Sequence, residues 1–211
     1  MQKRKLSTGR YVEALIITLS IFLLGIFLGY YISDFRIKEM FSTYDEIKNK
    51  ISGAILQAKI LEGEICNYDV LKEMGKEKLE LGREVAMLEN LRGKNDVYVL
   101  RLKEEYELLL INHLLLIQTW KEKCGKNVTI IIFFYSNREN VTESENQGFV
   151  LDHIYEKYPE KVTIYAFDFD IENPAIAALK KKYGITFVPT LVINEKVYPG
   201  FQDMEKIKKL I

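Results

Sequence analysis

Between Glu13 and Asp34 the chain runs ALIITLSIFLLGIFLGYYIS without a single charge. Its core, Ala14 to Ile32, is 19 residues long, close to the ~20 residues with which an α-helix crosses ~30 Å of hydrocarbon. Soluble helices are rarely apolar all round at this length. A cleaved signal peptide usually has a shorter apolar run ending in small residues, whereas this one ends in Tyr30, Tyr31 and Ile32. Tyrosines suit the polar–apolar interface, where the ring is buried and the hydroxyl wetted. The segment therefore reads as one transmembrane helix that anchors the chain in membrane lipid.

Charge orients it. Lys3, Arg4, Lys5 and Arg10 precede the span, and the stretch from Asp34 to Lys50 balances four bases with four acids. Basic residues flanking a first span stay on the cytoplasmic side. Residues 1–13 are thus expected as a cytoplasmic tail, residues 14–32 as the span, and everything after it as extracytoplasmic at a cell membrane. Gly25 and Gly29 form a GxxxG spacing that could bring two such helices into close contact.

Net charge is zero, with 30 bases and 30 acids, so no overall field suggests a nucleic-acid partner. Two Cys and two His scattered along the chain do not make a metal-ligand set. No glycine-rich phosphate cradle is present. No metal and no cofactor are expected.

All four prolines, Pro159, Pro174, Pro189 and Pro199, lie in the last third, placing a change of architecture near Cys124 to Lys126. The preceding region, 33–126, is proline-free beyond the span and rich in Leu, Glu and Lys, as long helices are. A first helix continues from the anchor, with Ile47, Ile51, Ile55, Ala58, Leu61 and Ile65 on one face, and ends near Cys66. A second runs from an N-cap at Asp69 to Leu91, with Met74, Leu81, Val85 and Leu88 inward. A third, Val97 to Lys123, carries Val99, Leu102, Tyr106, Leu109, Leu116 and Trp120 at coiled-coil-like spacing but is apolar on further faces too. Helices two and three should pair as an antiparallel hairpin, itself a second candidate surface for homo-oligomers. His113, inside an apolar stretch, reads as a hydrogen-bonded core histidine.

From Asn127 the pattern changes. VTIIIFFYS is β-branched and aromatic, as a strand buried on both faces is. A helix follows from Glu145 to Tyr158, a strand from Val162 to Asp170, and a helix from Pro174 to Tyr183 with proline in its first turn. TLVI and KVYPGF are two short strands joined at Asn194-Glu195, and a last helix starts near Met204. The order βαβαββα implies an α/β domain over 127–211, a mixed central sheet with helices on its faces.

This order, with Val188-Pro189-Thr190 opening the third strand in GITFVPTLVINEKVYPGF, resembles the thioredoxin superfamily. The resemblance covers Asn127 to Ile211. It implies that Pro189 is cis and that the loop Val188, Pro189 and Thr190 borders a surface for extended peptides. The superfamily's redox enzymes carry CxxC where the first strand meets its helix, because the helix N-terminus lowers the attacking thiol's pKa and a second thiol resolves the mixed disulfide. Here the best placement of that motif puts Val141 and Ser144 where the cysteines would stand. Ser144 with Gln147, or Thr142 with Glu145, fits a helix capping box instead. No catalytic residue is assigned, and an enzyme is not the favoured reading.

The two cysteines, Cys66 and Cys124, close helices one and three, and a hairpin would return both to one end. In an oxidising compartment such a pair reads as a structural disulfide. Asn127 and Asn140 begin N-x-Thr sequons and are candidate glycosylation sites. Two functions compete, beside a third in which the chain is chiefly a helical scaffold that oligomerises through the anchor and hairpin. One is a redox-inactive, membrane-tethered thioredoxin-like protein that binds or scaffolds other polypeptides. The other is a membrane-tethered thiol–disulfide oxidoreductase using Cys66 and Cys124.

Overall fold

The structure, a computed structural model, describes residues 8–60, 63, 66–138 and 140–211. Lys3, Arg4 and Lys5, and the Leu61 and Ile65 positions of the first helix, lie outside them. The chain divides into two compact units, residues 1–46 and 47–211.

Helix α1 (Thr8–Ile60) is continuous through both. In the first unit Tyr11–Tyr31 is long and apolar enough to cross a membrane, and none of it is buried by protein. Gly25 and Gly29 face open space. In the second unit α1 buries Ile47, Ile51, Ala54 and Ala58, a 3–4 spacing in which Ala54 takes the place expected of half-buried Ile55. Lys48 pairs with Glu105 and Lys50 with Glu84, tying this part of α1 to the next two helices.

Those helices are α2 (Tyr68–Arg92) and α3 (Val97–Cys124). The N-cap of α2 is Asn67, whose side chain accepts from the Asp69 N–H; Asp69 lies inside the first turn and is not the cap. Asp96 caps α3 by accepting from Tyr98 and Val99. Gly93 (φ 94°) and Gly125 (φ 65°) end the two helices in backbone that glycine adopts without penalty. The pair packs closely at Gly82, where an added Cβ would lie 2.5 Å from the Tyr106 hydroxyl. Buried α3 residues include neighbours such as Leu109 and Leu110, or Leu116 and Ile117, a broader face than a two-per-heptad seam.

Strands β1 (Thr129–Tyr135), β2 (Val162–Asp168), β3 (Thr190–Ile193) and β4 (Lys196–Pro199) form one sheet in the order β2-β1-β3-β4. β1 and β2 are parallel, and β3 is antiparallel to both β1 and β4. Helices α4 (Val141–Lys157), α5 (Pro174–Tyr183) and α6 (Met204–Lys208) complete the unit. Alternate strand residues separate two cores. Ile130, Ile132, Phe134, Tyr165 and Phe167 join α1, α2, α3 and α5 on one face, while Ile131, Phe133, Leu191 and Ile193 join α4 and α6 on the other. β1 is buried almost throughout, as its unbroken apolar run requires. Proline at position 199 is tolerated because β4 is an edge strand, and Asn194 and Glu195, both at positive φ, make the two-residue hairpin turn.

Two local expectations are corrected. Helix α4 starts at Val141, four residues before Glu145, with Asn140 at its N-cap in left-handed geometry and making no side-chain cap bond. Neither capping box forms, because Thr142 and Ser144 already lie within the helix and the Ser144 and Gln147 side chains bond elsewhere in the fold.

Candidate functional site

The β1–α4 turn, where a thiol motif would sit, is tied to the proline loop by side chains. Val188-Pro189 is a cis peptide. The Asn140 Nδ2 donates to the Val188 carbonyl at 2.9 Å, and the Gly200 N–H donates to the Pro189 carbonyl at 2.8 Å. Thr190 Oγ1 donates to the Phe187 carbonyl at 2.7 Å. Val188, Pro189 and Thr190 are all buried, so this loop is braced from within, while Phe187 and Phe201 beside it stay exposed.

Val141 is half-buried and Ser144 buried. The Ser144 hydroxyl accepts from the Ser136 N–H and has no base beside it, since His153 is exposed further along α4. Gln147 clamps the hairpin exit, its Oε1 accepting from the Gln202 N–H at 2.7 Å and its Nε2 donating to the Gln202 carbonyl at 3.2 Å. Neither Val141 nor Ser144 has a thiol with which to exchange a disulfide.

The cysteines are elsewhere. Cys66 and Cys124 are bonded, with Cα atoms 5.6 Å apart, joining the α1–α2 connection to the end of α3. Lys121, one turn before Cys124, donates to the Val128 carbonyl at the start of β1, and Lys103, at the other end of α3, reaches Asp168 at the end of β2. The disulfide therefore lies at the opposite end of the sheet from the β1–α4 turn, a strand of seven residues away, or about 20 Å. Asn127 and Asn140 are both exposed.

A buried polar cluster escaped the sequence reading. Lys103 Nζ lies 2.6 Å from Asp168 Oδ2 and 3.4 Å from Glu89 Oε1, and Asn137 donates to both carboxylates. Burial alone would lower the Lys103 pKa, but Tyr135 and Asp168 together hold it raised. Glu107 Oε1 accepts from the Asp168 N–H at 2.9 Å, and burial pushes its carboxyl well above the ordinary range. His113 is a core histidine as expected, its Nδ1 sharing a 2.8 Å hydrogen bond with the Tyr165 hydroxyl. Burial, with Lys78 nearby, depresses it to about 3. Lys78 is itself buried, drops to about 8 for that reason, and sits 4.7 Å over the Tyr165 ring. The signal was present: Lys78, Lys103 and Glu107 interrupt stripes of apolar residues at helical spacing. Among the described residues no cluster of His, Cys, Asp or Glu could hold a metal ion.

A mixed sheet in this strand order, helices on both faces and a cis-proline loop before the terminal hairpin together describe a thioredoxin-like fold, here packed against a helical hairpin, on a chain with one candidate membrane helix among the described residues. No family model and no curated protein matches the sequence. Solved structures similar to part of it include a chloroplastic thioredoxin z, at 21% identity and a TM-score of 0.34 over 44% of this chain and 83% of the other. Another is the germline-specific thioredoxin Deadhead of Drosophila melanogaster, at 16% identity and 0.33 over 46% and 89%. A third, described as a malarial protein, matches at 17% identity and 0.33 over 40% and 93%.

Proposed function

We propose that this chain is a single-span membrane protein displaying a redox-inactive, thioredoxin-like domain outside the cytoplasm, where it binds or scaffolds other polypeptides. The observation that carries this reading is the chemistry of the β1–α4 turn. Val141 and Ser144 stand where the motif's cysteines would, and the Ser144 hydroxyl is buried and engaged. The basic residues before the span and the balanced charge after it support the orientation, and the Cys66–Cys124 bond fits an oxidising compartment. Phe187 and Phe201, exposed beside the Val188-Pro189-Thr190 loop, mark the first candidate contact surface. Gly25 and Gly29 are candidate contacts for a second copy of the span. Asn127 and Asn140 are glycan acceptors if the organism glycosylates on that side, although Asn140 would have to loosen its bond to Val188.

An oxidoreductase working through Cys66 and Cys124 is the less favoured reading, because that pair is remote from the proline loop. Insulin reduction by the full chain in detergent separates the two; robust turnover would sink the inactive reading. Mass spectrometry of non-reduced protein taken from its membrane should find the Cys66–Cys124 bond intact.

A further inference from the structure

Strand β2 leaves one edge of the sheet uncovered by any other strand among the described residues. Its register with β1 determines which main-chain groups face that edge. The Lys161 carbonyl accepts from Thr129, and the Phe169 N–H donates to Tyr135, so odd-numbered residues of β2 bond to β1 and even-numbered ones point outward. Two of the outward N–H groups are used: Val162 donates to the Tyr158 carbonyl and Asp168 to Glu107. The outward groups of Ile164 and Ala166, between them, have no such partner.

Both residues line a cleft of about 680 Å³ between α2, α3 and α4. A second cleft, of about 290 Å³, is lined by Val162 and Thr163 and shares Lys78, Leu79 and Tyr155 with the first. The two run in series along the β2 edge. Each is also lined by a residue with a buried polar atom that lacks a hydrogen-bond partner among the described residues, Glu107 (Oε2) in one and His113 (Nε2) in the other. Lys78 stands at their junction with no carboxylate paired to it among the described residues, over the Tyr165 ring on the α3 side of the sheet. On the α4 side are Asp152 and Glu156, with Tyr155 between them.

We infer that this groove accepts an extended acidic segment of another polypeptide, which adds a strand to the free edge of β2 and sets a carboxylate against Lys78. An added strand pairs its main chain with Ile164 and Ala166. Its side chains then alternate between the two faces. Those toward α3 meet Lys78, where an acid neutralises a buried ammonium. Those toward α4 meet Ile164, Ala166 and Tyr155 beneath an acidic rim, where an apolar residue fits and a second acid is repelled. The inference rests on the reading of the domain as a polypeptide binder and locates that activity away from the proline loop.

The test uses the full chain in detergent micelles with blocked heptapeptides alternating valine with glutamate, lysine or serine. The glutamate peptide should bind most tightly and slow amide hydrogen exchange at Ile164 and Ala166 at least tenfold, leaving Thr163 and Tyr165 unchanged. Lys78→Met should weaken the glutamate peptide about tenfold and leave the serine peptide unaffected. Ala166→Pro, which removes one outward N–H, should abolish the protection with the melting temperature held. Equal binding of all three peptides, indifference to Lys78→Met, or no protection at Ile164 and Ala166 overturns the inference. Protection confined to Phe187 and Phe201 overturns it while sustaining the binding function, whereas no binding anywhere counts against both. Protection of the β2 edge by protein concentration alone would assign the groove to a second copy and overturn it likewise.

Discussion

Lys103 and Asp168 show how much a single buried contact constrains this unit. Both side chains are almost wholly withdrawn from water, and a buried charge deprived of its partner is far costlier than the pair is valuable. Lys103→Met should therefore destabilise the second unit by about 3–5 kcal/mol in chemical denaturation. Adding Asp168→Asn should restore part of that loss, since the orphaned charge is then gone; equal or greater loss in the double variant would refute the pairing. His113 contributes through pH. Its native value of about 3 lies below the ~6.5 of an unfolded histidine, so between these values the unfolded chain binds more protons. The contribution is complete above about pH 6.5 and is lost as pH falls toward 3. His113→Gln retains a partner for Tyr165 and cannot titrate, so between pH 6.5 and 4 its melting temperature should fall less steeply than that of the native chain.

At the scale of elements, local pattern was a good guide wherever packing only ratified it. Helix α5 runs from Pro174 to Tyr183 as its proline and trailing Gly184 imply, and β3 is the expected TLVI. Helix α4 was misplaced at its start because Ser144 and Gln147 resemble capping residues. Their hydrogen bonds go instead to Ser136 and Gln202, 8 and 55 residues away, and no local window contains both partners. The disulfide followed from the hairpin, since an antiparallel pair returns its outer ends to one place. It closes a separation of 58 residues, for which chain entropy gives about 4 kcal/mol. Replacing both Cys66 and Cys124 with Ser should lower the unfolding free energy measured by denaturant titration by up to that amount without altering thiol–disulfide exchange. A change in exchange would instead favour the oxidoreductase.

For the whole molecule, the chain divides into two compact units at residue 46. Helices α2 and α3 bury Leu71, Met74, Leu110 and Leu114 in the same core as Phe134 and Phe167 of the sheet, so the hairpin forms one wall of the α/β unit. A chain starting at Thr43 should accordingly stay folded and monodisperse without detergent, whereas one starting at Asn127 would expose that core face and aggregate. Size-exclusion chromatography with circular dichroism distinguishes these outcomes.

The sequence by itself determined a helix long and apolar enough to cross a membrane, because hydrocarbon demands ~20 uncharged residues in a row and nothing distant can change that requirement. It likewise determined the run of strands and helices, whose periodicities are local, and the absence of a CxxC pair, which is a matter of composition. Only the tertiary structure decided that the helical hairpin belongs to the sheet's core, that the loop around Pro189 spends its carbonyls on Asn140 and Gly200, and that Lys78, Lys103 and Glu107 are buried. These depend on residues far apart in the chain, 48 positions for Asn140 and Val188 and 65 for Lys103 and Asp168. The free edge of β2 was equally hidden, because an unpaired strand edge is defined by neighbours that are not there.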